Sequence, residues 1–244
     1  MTKEKTSVTT SIGDEKFKKN ITISADDFGE SFEKNSKIIE LIKKGKINRV
    51  AVMAERNLSE QEISILKQSG IKIDLHLETF KYLKVESPDG AFRRGKNFIL
   101  DYYFRRKFTA SEVEKMWNEQ IQHFEKLFGQ KPDGLNSHEH IHLFPYFFQI
   151  ACLLAEKHKI TYIRLGKNGC PFVNKIVRHV LYLFYFRNKN ILHNFKNIHS
   201  SKYLLSLDWI LNKNNPEKFI KPGTEIVCHP KKEKEYAFLE NISI

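Results

Sequence analysis

Four strand-patterned runs in this chain end in a carboxylate or an imidazole, and that regularity limits the folds open to it. Ile21-Thr22-Ile23-Ser24-Ala25-Asp26 runs into Asp27, and Ile71-Lys72-Ile73-Asp74-Leu75-His76-Leu77 carries His76. Gly134-Leu135-Asn136-Ser137 runs into His138, and Glu225-Ile226-Val227-Cys228 runs into His229. Further strand patterns cover 48–53 and 161–165. Between them lie helical patterns over 32–44, 59–68, 111–128, 146–158 and about 173–186. Strands alternating with helices in this way predict an α/β fold with a parallel sheet. A parallel barrel gathers its strand C-termini at one face, where one carboxylate could hold a metal and the other move a proton.

The helix over 111–128 is the best specified. Ser111 and Glu114 read as a capping box, Val113, Trp117, Ile121, Phe124 and Phe128 recur at helical spacing, and Gly129 ends the run. Pro145 suits the first turn of the next helix. Residues 79–110 fit no regular element and are expected to form a rim or lid, with a basic aromatic run from Phe92 to Arg106. Residues 1–18 read as a flexible polar tail and 19–244 as one domain.

Strand alternation sorts the polar residues by face. Lys72, Asp74 and His76 share one face; Asp26 points inward with Asp27 following; Tyr162 pairs with Arg164, and Glu225 with Val227 and His229. Each has an ordinary reading. Adjacent aspartates are often a turn or a helix cap, His76 a hydrogen-bonded core residue, His229 before Pro230 a strand terminus, and Arg164 half of an ion pair. His138-x-His140-x-His142 is more specific, since alternating imidazoles are uncommon outside metal sites. One of the three could ligate while the others bind substrate or cap the following helix. Only their joint occurrence makes the functional reading the better one.

Composition narrows the class. At 244 residues, 41% hydrophobic and with 19 phenylalanines, the chain suits one packed barrel. Its three cysteines have no close pairing, which favours a reducing, cytoplasmic setting. Met1–Asn20 lacks an apolar core, so no signal peptide is expected. The longest apolar stretch, Val180 to Phe186, falls far short of the roughly 20 residues that span a bilayer. The net charge of +12 is either a solvated lysine-rich surface or a match for an anionic glycan, membrane or nucleic acid. No nucleic-acid motif supports the last.

The motifs resemble those of the YdjC-like (ChbG/HpnK) carbohydrate deacetylase family. The matching pieces are Ala25-Asp26-Asp27-Phe28-Gly29 with Asn35, Leu75-His76-Leu77, Lys131-Pro132, and Asn136-Ser137-His138-Glu139-His140-Ile141-His142-Leu143-Phe144-Pro145. Ile163-Arg164 and Glu225-Ile226-Val227-Cys228-His229-Pro230 complete the set, which covers roughly residues 20 to 235. The resemblance implies a distorted (β/α) barrel of the glycoside hydrolase/deacetylase type. It also implies a divalent metal, commonly magnesium, held by Asp27, His76 and His138, with Asp26 as general base. The implied activity is metal-dependent removal of an N-acetyl or other N-acyl group from an amino sugar in an oligosaccharide, polysaccharide or glycolipid. His229 is expected to protonate the leaving amine, and Arg164 and His140 to contact substrate. One carboxylate and two imidazoles suit zinc or another transition metal at least as well as magnesium.

Two positions depart from the family pattern. Asp74 stands where glycine is usual and Asn136 where aspartate is usual, which adds one carboxylate and removes another. Two other functions stay in view. A metal-dependent phosphoesterase would more typically show a carboxylate-rich two-metal site. A catalytically inactive carbohydrate-binding barrel would need neither Asp26 nor His229. The basic aromatic segment from Lys175 to Lys202 reads either as an ordinary packed helix or as a surface approaching an anionic membrane, peripheral to its inner face, to reach a glycolipid. The sequence leaves a homodimer open.

Overall fold

The computed structural model of the chain describes residues 20–79, 100–170, 172 and 175–242. The expected tail and residues 80–99 of the expected lid lie outside the described residues. A seven-stranded parallel sheet runs in the order β4-β3-β2-β1-β7-β6-β5. The strands are β1 Thr22–Phe28, β2 Arg49–Val52, β3 Lys72–Leu77, β4 Gly134–Ser137, β5 Lys167–Asn168, β6 Tyr203–Ser206 and β7 Thr224–Cys228. β1, β2, β3, β4 and β7 are buried along nearly their whole length, as strands covered on both faces must be.

The two edges of the sheet meet. Leu135 in β4 bridges to Ile163, and Tyr162 bridges to His199, ahead of β6. Leu135 N–H donates to the Tyr162 carbonyl at 3.0 Å, Arg164 N–H to that of Leu135 at 2.9 Å, and Ile163 N–H to that of His199 at 3.1 Å. The expected strand over 161–165 is thus a pair of isolated bridges, and the regular strand starts at Lys167. The sheet curls into a distorted barrel whose seam is its least regular part.

Among the described residues, six α-helices surround it: α1 Phe32–Lys43, α2 Glu60–Gln68, α3 Ala110–Phe128, α4 Phe147–Lys157, α5 Lys175–Leu192 and α6 Glu233–Asn241. All the expected helices form, α5 runs on past Phe186, and α6 and β6 add to the expected set. The capping box of α3 lies two residues earlier than expected. Thr109 Oγ1 accepts from Glu112 N–H at 3.2 Å, and the Glu112 carboxylate accepts from Thr109 N–H at 2.6 Å. Phe108 before the cap and Val113 one turn in are both buried, the arrangement of a hydrophobic staple, whereas the frame starting at Ser111 would put Lys115 there. Gly129, at φ 65, ends the helix as expected. Pro145 stands ahead of α4 rather than inside its first turn. Part of the expected lid is regular: Leu100–Phe104 form one π-helical turn, with buried Asp101 paired to Arg105 and Lys107. The cysteines are free and buried. Among the described residues, no helix is long and apolar enough to cross a membrane.

Candidate functional site

Asp26 and Asp27 reach the same site because β1 does not finish as a regular strand. Its pairing with β2 steps from Ala25↔Val50 to Phe28↔Val52, so β1 carries one extra residue there. Asp27 takes φ 64, a left-handed conformation that aspartate tolerates better than most residues. In an unbulged strand the two side chains would point to opposite faces. Here both are buried.

Around Asp27 the expected partners converge. Its Oδ1 lies 3.1 Å from His76 Nε2 and 3.0 Å from His138 Nδ1. His76 comes from the end of β3, and His138 follows β4 directly. One ligand atom from each of Asp27, His76 and His138 lies within 4.8 Å of the others. Burial pushes the Asp27 carboxyl up, but hydrogen bonds from His138 and His76 and their charge hold it far below the usual carboxylate range. Burial pushes His76 down, and Asp26 and Asp27 outweigh it, so its pKa is raised. One carboxylate and two imidazoles, one of them 35% exposed, form a donor set that fits a single divalent cation.

Lys34, which the sequence reading missed, completes the surroundings of Asp27. From the first turn of α1 its Nζ reaches Asp27 Oδ2 at 2.9 Å and also pairs with Glu30. Burial lowers the Lys34 pKa, but Asp27 and Glu30 outweigh it and raise it. With one oxygen facing the imidazoles and the other on an ammonium, Asp27 is arranged to offer a single ligand atom. A lysine at that position of an amphipathic helix reads as solvated, and no motif signals otherwise.

Asp26 is held from below by Arg164. The guanidinium donates to Asp26 Oδ2 at 2.6 Å through Nη1 and to Oδ1 at 2.7 Å through Nη2. Its Nε donates to Glu225 Oε1 at 2.8 Å, and Nη2 also donates to Ser24 Oγ at 2.7 Å. Glu225 accepts in addition from the Tyr162 hydroxyl. Arg164 is fully buried and each of its three side-chain nitrogens donates to a neighbour, so the substrate contact expected of it does not fit this placement. Burial raises the Asp26 carboxyl, but Arg164, His76 and His229 more than offset it and hold it at about 2.

The remaining histidines separate by environment. His229 Nε2 lies 3.8 Å from Asp27 Oδ2, its backbone N–H donates to Glu235 at 2.6 Å, and its Nδ1 is buried without a partner. His140 has a left-handed backbone, and its Nδ1 is likewise buried and unpartnered. Burial and Arg164 lower its pKa to about 4, which keeps the ring neutral. His142 is structural: its Nδ1 lies 2.8 Å from Ser137 Oγ, and its Nε2 donates to the Arg164 carbonyl at 2.9 Å. Of the three alternating imidazoles, only His138 joins the Asp27 cluster.

The sequence profile of the YdjC-like protein family matches residues 20–242. The chain is 24% identical over 173 residues to a carbohydrate deacetylase of Danio rerio, covering 67% of this chain and 55% of that protein. It is 25% identical over 144 residues to a chitooligosaccharide deacetylase of Escherichia fergusonii, covering 58% of this chain and 57% of the relative. The matched stretches thus span little more than half the length of these relatives. A solved structure from Enterococcus faecalis, of a protein assigned provisionally to cellobiose-phosphate cleavage, superposes with a TM-score of 0.62. It is 19% identical and covers 91% of this chain and 90% of its own, a likeness of fold.

Proposed function

The chain belongs to the YdjC-like protein family, and from that premise we propose that it is a metal-dependent hydrolase removing an N-acetyl or other N-acyl group from an amino sugar. The observation that carries this reading is the cluster of Asp27, His76 and His138 with Asp26 and His229 beside it. A purely structural metal site needs neither of the last two.

When bound, a divalent cation supplies Lewis-acid polarisation of the amide carbonyl and a more acidic water. Asp27, His76 and His138 would hold it. Asp26 accepts the proton of the attacking water; it stays ionised at every working pH, and Arg164 fixes its direction of approach. His229, partly open to solvent, protonates the leaving nitrogen, a form of help typically worth about 10²–10⁴-fold. The neutral His140 ring keeps an unpartnered Nδ1 for a hydroxyl or amide of the sugar. Arg164 serves the reaction through Asp26 rather than by touching substrate. Zinc or a similar transition ion suits two imidazoles better than magnesium does.

Protein stripped of metal and reloaded with zinc or magnesium is expected to release acetate from N-acetylglucosamine oligomers or lipid-linked amino sugars, and to be silent when stripped. Phosphodiester hydrolysis with no acetate from any amide would replace this reading with a phosphoesterase.

We further propose that the substrate is met at an anionic membrane surface, on the inner, cytoplasmic face. α5 exposes Val180, Tyr182, Leu183 and Phe186, with Arg178, Arg187 and Lys189 also exposed. Asn188 Nδ2 donates to the Leu143 carbonyl at 2.8 Å, which ties α5 to the turn that carries His138 and His140. An apolar stripe bordered by cations suits an anionic interface. Co-sedimentation with phosphatidylserine vesicles at low salt is expected for the protein and lost in a Leu183→Ser/Phe186→Ser variant. Absence of binding at low salt would remove the idea, as would a homodimer that buries this stripe.

A further inference from the structure

Asn136 stands between a buried carboxylate and an imidazole of the candidate metal centre. It is the register partner of His76 across β3 and β4, and its Oδ1 meets His76 Nδ1. Its Nδ2 lies 3.3 Å from Asp74 Oδ2. Asp74 precedes His76 by two residues on the same face of β3, is fully buried, and accepts from Arg49 Nη1 through its other oxygen. Gly134, the register partner of Asp74, makes room for this pair: a Cβ there would lie 2.7 Å from Asp74 Oδ1 and 3.0 Å from Arg49 Nη1. The Tyr162 ring backs the guanidinium, with its centroid 4.0 Å from Arg49 Cζ.

An amide by itself is ambivalent, since turned through half a circle it would offer its NH₂ to the imidazole instead. A carboxylate paired with a guanidinium only accepts. Asp74 therefore keeps Nδ2 on its own side and directs Oδ1 towards His76. The Nδ1 of His76 then carries the hydrogen, and Nε2, the atom that faces Asp27, is left with its electron pair for a cation.

We propose that Asp74 is a positioning residue which, through Asn136, sets His76 in the Nδ1–H tautomer that binds a divalent cation by Nε2. This rests on the reading of Asp27, His76 and His138 as a metal centre. The buried charge lies one side chain further from the imidazole than in a direct carboxylate–histidine pair, and Arg49 balances it there.

The test exchanges the two side chains. In D74N the acceptor loses its exclusivity, the Asn136 amide is free to turn, and zinc affinity, read by competition with a chromophoric chelator, is expected to fall about 10–100-fold. In D74N/N136D the carboxylate meets His76 directly, and affinity is expected to return to near the wild-type value. Both variants present the same asparagine to Arg49 and differ in the group that meets His76 and in one buried charge, and the tautomer of His76 separates those two effects. Nitrogen-15 shifts of His76 in the zinc-loaded protein should report a single Nδ1–H form in the wild type and the double variant. If D74N is too unstable to purify, N136A leaves the Asp74–Arg49 pair intact and carries the same expected loss. Equal affinity in wild type and D74N would overturn the proposal, as would equal weakness of D74N and the double variant. A wild-type protein that binds no divalent metal would instead overturn the metal-centre reading beneath it.

Discussion

Asp26→Asn is expected to lower turnover by about 10²–10⁴-fold at saturating substrate while one equivalent of divalent metal stays bound. The substitution is isosteric, and Asp27, His76 and His138 are untouched. It also removes a stability term whose pH dependence can be worked out. Burial raises the Asp26 carboxyl, and Arg164 with His76 and His229 more than offsets it, taking it from the ordinary 3.8 to about 2. The folded pKa is the lower one, so the folded state binds fewer protons. The stabilisation is complete above about pH 4 and is lost as pH falls towards 2. A shift of that size is worth about 2 kcal/mol. The difference in Tm between wild type and Asp26→Asn should therefore be largest above pH 4 and vanish only below pH 2. Wild-type turnover in the variant would show that Asp26 is not the base.

What the sequence revealed of this site follows strand geometry. His76 and His138 were legible because each ends a parallel strand, and barrel topology brings such ends together. The shared faces of Tyr162 with Arg164 and of Asp74 with His76 were legible from alternation alone, and the structure keeps both. Alternation could not say how the two aspartates come to share a site. That depends on one extra residue in β1 and a left-handed Asp27, which no local pattern marks.

The misreadings have equally local causes. Thr109-x-x-Glu112 and Ser111-x-x-Glu114 both satisfy the capping-box pattern, and only burial of Phe108 and Val113 chooses between them. Arg164 looked available for substrate because nothing in the sequence shows that Asp26, Glu225 and Ser24 all converge on it. Lys34 went unread because its partner, Asp27, turns towards it only at the bulge. The departures at 74 and 136 read as separate oddities along the chain. In space they are neighbours joined by a hydrogen bond, so the added carboxylate and the lost one belong to a single arrangement.

Arg164→Met is expected to cost about 3–5 kcal/mol, a large share of the roughly 5–15 kcal/mol that holds a domain folded. The loss comes less from the missing contacts than from what remains. Asp26 and Glu225 would face each other in the barrel interior with no cation between them, and methionine offers neither a hydrogen. The sign of the pH dependence should also reverse. Without Arg164, burial and the stranded Glu225 charge are expected to outweigh His76 and His229 and push the Asp26 carboxyl above its unfolded value, so the folded state gains protons and the variant becomes more stable as pH falls from 7 towards 5. Urea unfolding across that range distinguishes this from simple loss of packing, which would leave the difference flat. Arg164→Lys keeps the charge but not the fork that serves Asp26 and Glu225 together, and should fall between the two. Combining Arg164→Met with Asp26→Asn and Glu225→Gln removes the stranded charges and should recover most of the loss. A single Arg164→Met variant within about 1 kcal/mol of wild type would mean that the barrel interior is open enough to water for the two carboxylates to stand alone. The rigid placement of Asp26 on which the proposed proton transfer depends would then have no structural basis.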